Sequence, residues 1–304
     1  MRPQLPPLTA VPKQQGYLRR CWRGARSVRA AAGPGPRVGR VSVLGGGESP
    51  FRDDDGSADP RAAAALAAFG AGVGSEHAAL TALAFSRLLV PVVAVLAATE
   101  ARNETGGPRP AQDDPGTGTA PAGRGDHGSE MSLPTLVGRD GRPAMPVFTC
   151  LDALARWDER ARPVPAQAGL VWRAAVDGSC AVVVDIAGPV PLAVEGARLA
   201  ALADGRPVPR PYQDPDVLEA VRAAAAGQPA IVGLRVAGGS GNDPAAAGEG
   251  CDLQIELTLA AGCSPAAGDE AARLLGHALI EQLGARLRRG VTIAVTRAAG
   301  HPGP

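Results

Sequence analysis

The chain has 304 residues, of which 45% are hydrophobic but only 3% aromatic, so it has room for two domains with cores of Ala, Val and Leu. Lys13 is the only lysine, which excludes phosphate-binding loops and Schiff-base chemistry that depend on a lysine elsewhere in the chain. Residues 1–47 carry nine basic and no acidic residues, whereas the remainder carries 22 basic and 30 acidic residues, a net charge of −8. An acidic body repels phosphate backbones, so nucleic-acid association is a candidate function for the basic leader alone.

The cysteines and the hydropathy pattern favour a cytoplasmic protein. No secretory signal precedes the body, and the longest apolar stretch, 88–98, is half the length that a membrane span needs. An odd number of scattered cysteines without an export signal is typical of a reducing compartment. The five are Cys21, Cys150, Cys180, Cys251 and Cys263.

The first half of the chain predicts a disordered basic leader over 1–50 and a first α+β lobe over 51–205. Asp59 and Pro60 are typical of a helix start, and Thr149 with Asp152 resembles a capping box. The stretch 100–130 has 11 Gly or Pro residues and is predicted to be a flexible insert. The predicted helices of this lobe are 61–71, 76–86, 151–157, 166–177 and 197–204, and the predicted strands are 88–96, 131–137, 144–149, 181–187 and 190–194.

A proline-rich linker, 206–211, precedes a second lobe over 212–298, which a tail at 299–304 follows. Its predicted helices are 215–226, which Asp214 caps, and 268–289, whose last turn carries Arg286, Arg288 and Arg289 as the helix dipole favours. Its predicted strands are 231–236, 252–260 and 291–296, with a flexible loop at 238–250. The order α-β-β-α-β, with two amphipathic helices, predicts helices on one face of an antiparallel or mixed sheet. The fold class is therefore α+β, in two small lobes.

Six segments of the first lobe together carry a family resemblance: Phe51–Pro60, Arg87–Leu96, Ser132–Leu136, Leu154–Asp158, Arg162–Pro165 and Val184–Pro189. They resemble SseB-family proteins of the actinobacterial type. The resemblance covers about 51–205, and the second lobe is similar to the family's C-terminal domain. It implies a two-part α+β architecture and cytosolic residence, but no established reaction and no catalytic residues.

The residues themselves show no catalytic, cofactor or metal constellation. Gly70–Gly74 lacks the spacing of a dinucleotide-binding loop and follows a predicted helix, and Asp53–Gly56 places its glycine too early for a calcium loop. The cysteines form no pair with zinc spacing. His77 and His277 have no visible nucleophile or orienting acid, so we assign no catalytic, cofactor-binding or metal-binding residue.

Two first-lobe residues are candidate contacts for a ligand. Asp185 interrupts an apolar strand, where a carboxylate costs free energy unless it is hydrogen-bonded. It either accepts hydrogen bonds at the Gly188–Pro189 turn or contacts a ligand at the end of the sheet. Trp157 is either a core anchor at the end of a short helix or a platform for a ligand.

Two second-lobe residues are candidate contacts for a partner protein. Leu253, Ile255 and two further leucines alternate with polar residues, so Glu256 falls on the opposite face of the strand, and Thr292 shares that face on the last strand. This face is either solvated or docks a partner or the first lobe.

Three functions follow from these observations. The first is a non-enzymatic regulatory or protein-interaction module. The second is a small-molecule binder or enzyme with a cleft between the lobes near Asp185 and Trp157. The third is nucleic-acid association through the basic leader, 1–50.

Overall fold

The protein has an α+β fold, as predicted; the structure, a computed structural model, describes residues 50–96, 129–138, 141–239 and 250–298. Four predicted segments lie largely outside the described residues. They are the leader apart from Pro50, the insert 100–130 apart from its last two residues, the centre of the loop 238–250, and the tail. The helices are α1 (Pro60–Gly70), α2 (Glu76–Leu83), α3 (Leu151–Trp157), α4 (Ala168–Asp177), α5 (Gly196–Ala203), α6 (Pro215–Ala226) and α7 (Pro265–Leu283), with a 3-10 turn at Pro211–Gln213. The strands are β1 (Arg87–Leu96), β2 (Ser129–Ser132), β3 (Leu136–Val137), β4 (Pro143–Val147), β5 (Arg162–Gln167), β6 (Ala181–Val184), β7 (Leu192–Val194), β8 (Ile231–Gly238), β9 (Leu253–Leu259) and β10 (Val291–Arg297).

Two small sheets form the first lobe, one with the order β2-β1-β5 and one with the order β3-β4-β6-β7. A single bridge between Leu89 and Phe148 joins them. β4 and β6 run parallel, and β6 and β7 form the predicted antiparallel hairpin. The single strand predicted at 131–137 is wrong, because the chain leaves β2 before Pro134 and pairs again only as β3, on the other sheet.

Strand β5 was missed because two of its six residues are prolines. Pro165 lies opposite Leu89 on β1, yet the N–H and C=O of Leu89 bond Phe148 on the other side, at 2.7 and 2.9 Å. The Leu89–Pro165 pair is therefore not hydrogen-bonded, and the missing N–H of the proline lies on the open edge of the sheet. The sequence predicted a helix from 166, whereas α4 begins at Ala168 after this strand ends.

The second lobe is a mixed three-stranded sheet with the order β10-β9-β8, in which β9 pairs parallel with β10 and antiparallel with β8. The predicted alternation holds, because the four apolar residues of β9 are at most 1% exposed and pack against the two helices. They are Leu253, Ile255, Leu257 and Leu259.

Helix α7 differs from the prediction at both ends. It begins at Pro265, where Ser264 accepts a hydrogen bond from the N–H of Ala267 at 3.2 Å, and it ends at Leu283 rather than at 289. Arg286 and Arg288 therefore do not lie in the last turn of the helix. They belong to the following turn, 284–290, which carries them toward the first lobe.

Each lobe has its own hydrophobic core. The large core of the first lobe centres on Trp172 and Phe69 and extends to Val208, whereas the core of the second lobe includes Tyr212 and Leu275. The division between the two cores falls between Val208 and Tyr212, so the contacts that hold the lobes together lie outside the cores.

Candidate functional site

Four charged side chains meet at the contact between the lobes. Glu76, at the first position of α2, and Arg198, on α5, come from the first lobe. Asp214, which caps α6, and Arg286, on the turn after α7, come from the second lobe. We call these four residues the charge ring and the contact that they form the seam.

The charges of the ring alternate in sign. Glu76 bonds Arg198 through one oxygen and Arg286 through the other, the latter at 3.1 Å. Asp214 bonds Arg286, and its Oδ2 lies 4.0 Å from Nε of Arg198. Every charge has an opposite charge on each side, and two of the four contacts, Glu76 with Arg286 and Asp214 with Arg198, join the two lobes.

Burial makes these contacts consequential. The side chains of Glu76, Arg198 and Asp214 are at most 5% exposed, and that of Arg286 is 14% exposed. Burial lowers the pKa of Arg198, and the carboxylate of Glu76 opposes this effect. Burial would also lower the pKa of Arg286, but Glu76 and Asp214 outweigh it and raise that pKa. The charge ring therefore holds two buried carboxylates against two guanidinium groups of opposite charge.

Two further residues, Arg288 and Asp216, join the lobes near the charge ring. Arg288 lies 4.4 Å from the ring centroid of Phe69 and donates to the backbone oxygen of Gly70 at 3.2 Å. On the other side, Asp216 of the second lobe accepts from the N–H of Ala197 at 3.1 Å, at the start of α5. Gly196 next to it has φ of +60°, and an added Cβ would lie 2.1 Å from Asp216 Oδ2, so this approach requires glycine.

Asp252 lies beneath the same turn, 1% exposed, at the start of the central strand of the second lobe. Its Oδ2 accepts from the N–H of Arg289 at 2.9 Å, and its own N–H bonds the oxygen of Gly290 at 2.9 Å. Its Oδ1 is buried without a hydrogen-bond partner. Burial raises the pKa of Asp252 to about 6, the Arg289 amide opposes that rise, and Glu76 adds to it.

Sequence reasoning missed the roles of Glu76, Arg198 and Arg286 entirely and saw Asp214 only as a helix cap. The three contacts span more than 70 residues of sequence each, so no local pattern encodes them. One signal was present: Arg198 lies three and four residues before the buried Ala201 and Leu202, which places an arginine on the apolar face of α5.

Asp185 lies at the carboxyl ends of the parallel strands β4 and β6, and its carboxylate accepts hydrogen bonds from Thr149 rather than from the Gly188–Pro189 turn. Its Oδ1 accepts from the N–H of Thr149 at 2.8 Å and its Oδ2 accepts from the hydroxyl of Thr149 at 2.6 Å. Burial raises the pKa of Asp185, and both bonds from Thr149 lower it. Its φ of +49° turns the chain out of β6, where Gly188 N–H closes the turn on its oxygen at 2.7 Å.

The capping box predicted for α3 is wrong for the same reason. Thr149 donates its hydroxyl to Asp185 instead of capping the helix. Cys150 occupies the N-cap position, without a side-chain hydrogen bond, and the helix begins at Leu151. Trp157, at the end of this helix, lies 5.5 Å from Phe148, centroid to centroid, and packs in the small cores beneath α3. The contacts that place Asp185 and Trp157 lie within the first lobe, whereas the seam is built from other residues.

Glu256 and Thr292 lie on the face of the second-lobe sheet opposite the two helices, as the alternation predicted. Glu256 pairs across the strands with Arg235, 3.6 Å away, and Thr258 faces Thr296 at 3.5 Å. We call this surface the outer face. Among the described residues, the hydrogen bonds and ion pairs that join the lobes at the seam do not involve Glu256 or Thr292.

Within the described ranges, no three His, Cys, Asp or Glu residues are placed to hold a metal ion. No helix in that part of the chain is long and apolar enough to cross a membrane.

Comparison with known proteins finds a family match within the first lobe. Residues 63–201 match the family model of the SseB protein N-terminal domain, which is less than half of the chain and ends before the second lobe. The chain matches no curated protein and no solved structure at a significant level.

Proposed function

We propose that this protein, whose first lobe is an SseB N-terminal domain, is a non-enzymatic cytoplasmic interaction module that binds a partner protein through the outer face. We also assign the second lobe, 212–298, to the C-terminal domain of the same family and the whole to its actinobacterial type. One observation carries the proposal. Helices α6 and α7 both cover the same side of the second-lobe sheet, and in the described part of the chain no helix covers its other side.

The chemistry of the outer face suits contact with a protein. Thr292 and Thr296 are exposed, the side chain of Glu256 is 41% exposed, and that of its partner Arg235 is 76% exposed. The short threonine side chains lose little conformational entropy on contact, and the one ion pair at its centre gives a partner a point of polar recognition.

The buried carboxylates support a structural rather than an enzymatic assignment. Asp214 and Glu76 are compensated by arginines across the seam, and both oxygens of Asp185 are bonded to Thr149. A catalytic acid or base needs a proton to exchange with a substrate, and these groups are committed to holding the fold.

The test is a double variant, Glu256→Arg with Thr292→Arg, in the full chain. Both positions point away from the core, so we expect the variant to fold and to lose the partner that affinity purification with the wild-type protein recovers. The matched control is Glu219→Arg with Ala223→Arg on the exposed side of α6, which makes the same change in charge.

Equal recovery of the partner by the wild type, the control and the folded double variant would contradict the proposal. The two other predicted functions have their own readouts. A metabolite that raises the melting temperature of the body would favour a small-molecule site, since a ligand bound to the folded state stabilises it. Retention of nucleic acid that is lost on deleting 1–49 would favour the leader, which lies outside the described residues.

A further inference from the structure

Buried polar atoms without hydrogen-bond partners concentrate around the seam. Of such side-chain atoms in the described residues, four belong to residues that build or border it: Oδ1 of Asp252, Nε of Arg198, Nε of Arg288 and Nδ1 of His77. A buried polar group without a partner costs free energy, so the seam is less completely satisfied than the cores beside it. A contact of this kind can be shifted by a small change in charge.

Ionisation of the Asp252 carboxyl group is such a change in charge, and Asp252 lies beside the seam. Its bonds to Arg289 and Gly290 fix the turn 284–290, which delivers Arg286 to the charge ring and Arg288 to Phe69. The backbone oxygen of Arg288 also lies against the first lobe, 3.4 Å from where a Cβ on Gly72 would sit. The carboxyl group of Asp252 therefore acts on both lobes through one short turn.

We propose that Asp252 makes the seam a pH-sensitive lock, which is tight when this carboxyl group is protonated and loosened when it ionises. The ionised group places a negative charge in a water-excluded position with one oxygen unbonded, near the like charge of Glu76. Hydrating that charge requires the turn to move, and the two arginines that the turn carries into the first lobe move with it.

The direction of the pH effect follows from linkage. The pKa of Asp252 is about 6 in the folded protein against an ordinary value of 3.8, so the folded state binds this proton more tightly than an open state does. The stabilising contribution is fully present below the ordinary value and is lost as the pH rises through about 6. Acidification from neutral pH toward pH 5 therefore tightens the lock.

Other charges around the seam act on the same equilibrium. Arg289, on the turn, favours the ionised form of Asp252, and Glu76, on α2, opposes it. Arg286 and Arg288 share the turn. His77, next to Glu76, works against the lock in acid, because burial lowers its pKa and protonation then places a second cation in a half-buried position.

Hydrogen exchange of the backbone amides in the full-length protein tests the proposal. The readout is the protection of Arg289 and Asp252 N–H, which bond Asp252 Oδ2 and Gly290 O. We expect the opening constant to rise about tenfold from pH 5 to pH 7.5 after correction for intrinsic exchange, since the two pKa values fix that ratio. The amide of Leu89, bonded to Phe148 O in the first lobe at 2.7 Å, is the internal reference and should not follow the same curve.

Two variants separate Asp252 from its neighbours. Asp252→Asn keeps the shape of the side chain and cannot ionise, so the pH dependence of the opening constant at the seam should disappear. In His77→Asn the opening constant should rise with pH at least as steeply as in the wild type. The wild-type titration alone remains decisive if Asp252→Asn fails to fold. Protection at the seam that does not change between pH 5 and pH 7.5, or that falls in acid in both the wild type and His77→Asn, would overturn the proposal.

Discussion

The seam and the outer face use charge in opposite ways. The seam buries two carboxylates and two guanidinium groups, two from each lobe, whereas the outer face carries one exposed ion pair, Arg235 with Glu256, among short polar side chains. A buried charge that loses its partner is costly, but an exposed pair is worth little. Charge therefore contributes to the packing of the lobes at the seam, whereas the exposed ion pair of the outer face contributes little to stability.

Removing one member of the charge ring should have the largest effect. Arg198→Leu leaves Glu76 and Asp214 buried with one fewer cation, so we expect it to lower the free energy of unfolding by about 3–5 kcal/mol in urea titrations. The matched control is Arg206→Leu, whose pair with Asp204 is exposed and should cost no more than about 1 kcal/mol. Equal losses for the two variants would remove the distinction between buried and exposed charge.

Removing a bond within one lobe should cost less. Thr149→Val keeps the volume but takes the hydroxyl away from Asp185 Oδ2, so we expect a loss of about 1–3 kcal/mol at pH 7. Because that hydroxyl lowers the pKa of Asp185, its loss raises the pKa further, and the penalty should shrink as the pH falls and the carboxyl group protonates. A penalty that grows in acid would contradict this account of the bond.

The cation–π contact at the edge of the seam should follow. Arg288→Met keeps an unbranched side chain over Phe69 but removes the charge and the bond to Gly70 O, with an expected loss of about 1–2 kcal/mol. Thermal unfolding at two salt concentrations measures it, since a half-buried contact is screened less than the exposed pairs. A variant as stable as the wild type would show that the contacts of Arg288 add nothing to the stability that the charge ring gives the seam.

The smallest effect on stability should come from the outer face. Glu256→Arg with Thr292→Arg should change the free energy of unfolding by less than about 0.5 kcal/mol, because both side chains project from the uncovered side of the sheet. A large destabilisation would show that this face is part of the structure rather than a free surface.

The sequence predicted best where one local pattern determines the outcome. The strict alternation in β9 placed Leu253 inside and Glu256 outside, and Asp59 and Asp214 cap the helices that follow them. These features depend on neighbours within a few residues, so periodicity and capping rules reach them.

The sequence predicted least where the role of a residue depends on a contact with a residue that is distant in the sequence. Thr149 has the spacing of a capping box, but a buried Asp185 at a sequence separation of 36 takes its hydroxyl. Arg286 was predicted to lie in the last turn of α7, but the helix ends at Leu283 and Arg286 donates to Glu76, 210 residues away. Local rules could not find the seam, because the hydrogen bonds of its charge ring join residues at least 72 apart in the sequence.

The most direct test of the central claim is a double-mutant cycle across the seam with Glu76→Gln and Arg286→Gln. The two side chains lie on different lobes, bond each other at 3.1 Å and are both buried, so the account predicts a coupling energy of about 1–3 kcal/mol in the free energy of unfolding. Effects of the two single variants that simply add, within about 0.5 kcal/mol, would contradict the claim that buried charge holds the lobes together.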